Sequence, residues 1–133
     1  MNLDTDLRII WEFTLGIPIN SNSNSKNKSI EKDEQDKKQF KNFIFEITEE
    51  LTKISEGLTY EYCYGTWCQD FSSSSLIERD LSVRISIIVL PEISDELYNS
   101  AKSIISIANQ KYNLGIIHVQ AMKSFGYAKH FVV

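Results

Sequence analysis

Leu81-Ser82-Val83-Arg84-Ile85-Ser86-Ile87-Ile88-Val89-Leu90 is the longest β-branched run in the chain. Leu81, Val83, Ile85, Ile87 and Val89 share one parity, and a strand turns them all to one face. Ser82, Arg84 and Ser86 take the other face, until Ile88 and Leu90 make the end apolar on both sides. Such a strand suits the middle of a sheet better than its edge. Pro91 stops it, because proline cannot donate to a ladder.

On the N-terminal side of this run, Leu58 to Cys68 alternates as a strand. Leu58, Tyr60, Tyr62 and Tyr64 share one face, and Thr59, Glu61 and Cys63 the other. Gly65 predicts a bulge or turn that re-aims Thr66 and Trp67. Residues 69 to 76, rich in serine, read as a loop. On the C-terminal side, Ser94 to Asn113 has helical spacing: Leu97, Ala101, Ile104, Ile105, Ala108 and Tyr112 form one stripe. Ser94 reads as its N-cap, Asp95 and Glu96 complement the dipole, and Asn113 with Gly115 ends it. Gly115 to Lys123 reads as the last strand, with Ile117, Val119 and Ala121 on one face and His118, Gln120 and Met122 on the other. The tail from Ser124 to Val133 is apolar enough either to extend the sheet or to dock on a neighbouring chain.

Further upstream, Leu7 to Ile17 has a period of two, closed by Gly16 and Pro18. Asn20 to Asp36 is low in complexity and nearly free of apolar residues, so it reads as a flexible loop. Lys37 to Glu56 is helical, with Phe40, Phe43, Ile44, Ile47, Leu51 and Ile54 on one stripe and Gly57 as the left-handed cap.

The order is β-α-β-β-α-β, in one α+β domain spanning residues 1 to 133. Right-handed crossovers put both helices on one face of one sheet. The expected fold is the ferredoxin-like βαββαβ sandwich, two helices on a four-stranded antiparallel sheet in the order 4-1-3-2.

Composition bounds the function. With 133 residues, 42% hydrophobic and 24% charged, the chain can bury one core without staples. The formal net charge is −4 and the only arginines are Arg8, Arg79 and Arg84, so no basic stripe for nucleic acid is visible. No signal segment and no membrane-length apolar run is visible, which makes a cytoplasmic protein with no membrane partner the expectation. Cys63 and Cys68 make no disulfide framework, and their spacing and opposite parity argue against a metal. No glycine-rich phosphate loop, G-x-S-x-G or H-E-x-x-H occurs, and no cofactor is expected.

The face opposite the helices should carry Ile10, Glu12, Thr14, Ser82, Arg84, Ser86, Ile88, His118, Gln120 and Met122, with Glu61 and Cys63 added if the tyrosines point inward. That mixture predicts a surface paired with a second sheet or lining a pocket. Arg84 with a carboxylate, Glu12 or Glu61, could bind an anion, and a cross-strand ion pair is the plainer reading. His118 and Glu61 are the candidates for acid–base work, though a lone strand histidine is more often structural. Tyr60, Tyr62, Tyr64 and Trp67 could stack on a planar ligand, core packing being the commoner fate and Trp67 the residue expected at a rim.

Phe13-x-x-Gly16, Gly57-Leu58-Thr59, Gly65-Thr66-Trp67, Glu78 with Ser82-Val83, and Tyr112…Gly115…His118-Val119 follow one another in a familiar order. In that order the chain resembles a family of short bacterial proteins catalogued as a domain of unknown function, the 3574 family. The resemblance covers residues 11 to 119 and implies no reaction; it points to Trp67, Glu78 and Gly65 as positions to test. Two classes of function follow. The first is a non-catalytic homo-oligomeric module that binds a small molecule or partner protein through the open sheet face, with Arg84, Glu12, Trp67, His118 and Glu78 as contacts. The alternative is a small enzyme of the dimeric α+β barrel type, with His118 or Glu61 working in a cavity over the sheet.

Overall fold

A computed structural model describes residues 6–19, 30–68, 77–115 and 117–133. Strand β1 (Leu7–Ile19) is followed by helix α1 (Ile30–Thr52), β2 (Gly57–Cys68), β3 (Ile77–Val89), a single 3-10 turn (Pro91–Ile93), α2 (Ser94–Tyr112) and β4 (His118–Tyr127). The strands form one antiparallel sheet in the order β2-β3-β1-β4. This is the ferredoxin-like arrangement, with the Leu81–Val89 run in an interior strand that begins four residues earlier, at Ile77, and leaves Leu90 just past its end.

Parity decides the layers. Ile9, Trp11, Phe13, Leu15 and Ile17 of β1 and Leu81, Val83, Ile85, Ile87 and Val89 of β3 are all buried. They meet Phe40, Phe43, Ile44, Ile47 and Leu51 of α1 and Leu97, Ala101, Ile105 and Ala108 of α2. Each large side chain enclosed here contributes about 1.5–3 kcal/mol. The two helices therefore cover one face. The other face has no covering layer among the described residues.

Several local expectations are corrected. Strand β1 runs past Gly16 and Pro18 to Ile19, still paired with β3 through Ile19↔Arg79. Its pairing with β4 begins only at Gly16↔His118, so at Pro18 one edge has no described neighbour and a missing N–H costs little. Of the expected loop, residues 20–29 lie outside the described residues, and residues 30–36 belong to α1. Extending a helix already anchored by its packed stripe adds one bond per residue, so charged helix formers suffice without apolar ones. The helix ends at Thr52, leaving Ile54 in the turn. Gly57 opens β2 opposite Ile88 and has no positive φ, so it is not a helix cap.

Gly65 makes no bulge, since the β2–β3 register is unbroken from Gly57↔Ile88 to Cys68↔Ile77. Ser94 is the first helical residue of α2, not its side-chain cap. The end of α2 is as expected, with Asn113 in the left-handed region (φ 53°) and Gly115 at φ 82°. Strand β4 takes in residues 124–127 of the tail, and the N–H of Ala128 still donates to the Asp6 carbonyl at 2.8 Å. The predicted loop at 69–76 lies outside the described residues.

Candidate functional site

The registers stack the open face into cross-strand rows. One row runs Thr59, Ser86, Glu12, Met122; the next Glu61, Arg84, Thr14, Gln120; the next Cys63, Ser82, Gly16, His118. Strand β3 lies between β2 and β1, so Arg84 reaches a carboxylate on either side. Its Nη1 is 3.1 Å from Glu61 Oε1, directly across, and its Nε is 3.6 Å from Glu12 Oε1, on the diagonal. All three side chains are open to water, with 49% of Arg84, 65% of Glu61 and 39% of Glu12 accessible. Two carboxylates against one guanidinium leave the centre of this face with a net negative charge.

The structure thus brings together Arg84, Glu12 and Glu61. His118 stands in the adjacent row on the outer strand, exposed, and makes no ion pair with a described residue. With Glu61 held by Arg84 and His118 open to water, the two form no enclosed acid–base pair. Trp67 and Glu78 are partners in backbone register, and their side chains lie outside the described residues. Among the described residues no group of three or more His, Cys, Asp and Glu side chains gathers as metal ligands would. Cys63 is a free, half-buried thiol.

Sequence reasoning missed a notch in this face. Ser82 and Asp80 are buried, although their parity places them on the open side. Gly16 stands opposite Ser82, and a Cβ there would stand 2.7 Å from Ser82 Oγ and 3.2 Å from Asp80 Oδ2. The two polar side chains lie over bare β1 backbone. Gly16 itself was the one available signal, and it reads as a strand end until the register is known.

The apolar excess expected of the open face lies mostly elsewhere. Ile10 and Ile88 are half-buried there, and Met122 is exposed. More apolar surface stands on the helix side of the two edge strands, beyond the reach of the helices. On β2 these are Tyr60, Tyr62 and Tyr64; on β4 they are Val119, Phe125 and Tyr127. Tyr62 meets Phe40 edge-on, and burial pushes its phenol up from the usual value, with Tyr60 adding to the shift. On the β4 side a groove of about 440 Å³ opens between α2 and the strand, walled by Phe13, Tyr98, Ile105, Ile117, Val119 and Ala121. Lys102 at its rim lies over the Tyr98 ring at 4.7 Å.

Fold and face together define a small α+β sandwich with an open, weakly acidic sheet. No family model and no curated protein matches the chain. Among solved structures it is similar to the de novo designed protein Foldit4, at 11% identity over 88% of this chain and 96% of that one, with a TM-score of 0.46. It is also similar to a phage SAM lyase in complex with S-methyl-5'-thioadenosine, at 12% identity over 94% and 93% of the two chains, TM-score 0.46. A PII-like signalling protein from Thermus thermophilus aligns at 14% identity over 92% and 93%, TM-score 0.41. No helix among the described residues is long and apolar enough to cross a membrane.

Proposed function

We propose that this protein is a non-catalytic, homo-oligomeric module that binds a small molecule or a partner protein through the open face of its sheet. The observation that carries this reading is the exposed Glu12–Arg84–Glu61 cluster at the centre of a four-stranded face that no described element covers. Its charge balance favours a partner that presents a cation beside an apolar group, the latter meeting Ile10, Ile88 and Met122. Membership of the 3574 family belongs to the same proposal and rests on the order of the short motifs quoted above.

The test is a thermal-shift screen of cationic metabolites and basic peptides against the native chain and a Glu12→Gln, Glu61→Gln double variant, which removes both carboxylates of the cluster. A hit that stabilises the native chain and loses its effect on the variant supports the reading. Hits that act equally on both, or a native chain that stays monomeric at every concentration in sedimentation equilibrium, overturn it.

A further inference from the structure

The outer edge of β4 is paired with no strand among the described residues. It is a ten-residue edge carrying one charge, Lys123, and no proline. An edge of this length is ordinarily blunted by charges, proline or a bulge, because its free N–H and C=O groups otherwise recruit another strand. On its helix side the strand is asymmetric. The groove beside Ile117, Val119 and Ala121 lies at its start, and the exposed rings of Phe125 and Tyr127 at its end.

The rings cannot fill the groove of their own chain. Phe125 lies four residues beyond Ala121 on the same extended strand, a separation of about 14 Å. The chain after the Ala128–Asp6 hydrogen bond offers no substitute. Phe131, three residues on, reaches at most about 11 Å, whereas Ala121 lies about 24 Å back along the strand. The groove and the rings are complementary only between molecules.

We propose that β4 pairs antiparallel with β4 of a second copy about a two-fold axis normal to the sheet. This inference rests on the homo-oligomer reading above and deepens it. Only this symmetry brings each chain's rings to the other's groove while keeping both helix pairs on one side. It also selects the register. Setting His118 against Tyr127 would match even positions with odd ones and turn the two helix sides apart. Shifting by one place restores parity in two ways. One sets Lys123 against itself, which like charge disfavours. The other sets Met122 against itself, and then Val119 meets Phe125, and Ile117 meets Tyr127, of the second copy.

The surface available is adequate. Phe125 and Tyr127 are 69% and 68% exposed. At the area an aromatic side chain offers they present about 200–350 Å². Val119, Met122 and the groove walls bring this towards the ~800 Å² per partner of a specific interface. The product is a continuous eight-stranded sheet with both open faces on the same side.

The test uses the full chain in a Cys63→Ser, Cys68→Ser background. Met122→Cys places two thiols across the axis at a Cα separation of about 4.5–5.5 Å, within disulfide range. Gln120→Cys, offset from its own copy by about 14 Å, is the control. The expected result is a species of twice 15.3 kDa in sedimentation equilibrium, rapid oxidation of the Met122→Cys chain to a covalent dimer, and none for the control. Phe125→Lys returns the native chain to monomer mass. An oligomer in which Met122→Cys links no faster than Gln120→Cys overturns this interface and leaves the homo-oligomer reading standing. A native chain that is monomeric throughout overturns both.

Discussion

The indole N–H of Trp11 donates to the hydroxyl of Ser94 at 3.1 Å, tying β1 to the first residue of α2. The same N–H lies 3.2 Å from the Ser94 carbonyl, and the ring stacks on Tyr98 at a centroid distance of 4.8 Å. Both polar groups are buried, so the bond joins sheet to helix where water cannot substitute. Ser94→Ala is expected to cost about 1 kcal/mol, since the carbonyl still accepts. Trp11→Ala is expected to cost about 3–5 kcal/mol, because it opens a cavity as well. Urea unfolding of the two variants checks the order.

Gly16 makes a second prediction. Its absent Cβ leaves room for Ser82 Oγ, which would otherwise lie 2.7 Å away. Gly16→Ala is expected to destabilise by about 1–3 kcal/mol through overpacking. Adding Ser82→Gly removes the nearest atom, so the double variant should recover part of the loss in melting temperature. Equal melting temperatures for the single and double variants would mean that Asp80, not Ser82, sets the limit.

Arg84 bears on function more than on stability. All three members of its cluster are well exposed, and such pairs are worth about 0.2–1 kcal/mol each. A double-mutant cycle between Arg84 and Glu61 should give a coupling in that range that shrinks as salt is added. A coupling of several kcal/mol, insensitive to salt, would show the cluster to be structural.

Tyr62 contributes to the loss of stability at alkaline pH. Burial raises its phenol above the usual 10.0, which means the folded state favours the protonated form. That stabilisation is complete below the unfolded value and is lost as pH rises through the higher folded one. Lys111, hydrogen-bonded to Glu46, and Lys53, hydrogen-bonded to Glu50, shift the same way on the surface. The melting temperature should therefore fall above about pH 10, and Tyr62→Phe should flatten the fall. Tyrosinate absorbance followed during the same titration identifies the group.

Most of the architecture was legible in alternation. Val83, Ile85 and Ile87 on one parity and Arg84 on the other place a strand in the interior and aim it, because a strand's side-chain period is two. The i, i+3, i+4 stripe of Phe40, Phe43, Ile44 and Ile47 likewise assigns a helix and its buried side. From these follows the side of the sheet on which Arg84, Glu12 and Glu61 stand, and the element order βαββαβ supplies the strand order. Gly57, Gly65 and Pro18 were misread because glycine and proline show only what a backbone tolerates. Whether the chain turns there depends on the neighbours available to pair with it.

Local pattern, then, determined the elements, their faces and the side of the sheet left open, since these depend on spacing along one chain. The tertiary structure alone decided how far each layer reaches. Two helices cannot roof four strands, so β2 and β4 keep apolar side chains exposed on a face that parity would have counted as core. It also set the Gly16 notch and the diagonal from Arg84 to Glu12, because both depend on register between strands distant in sequence.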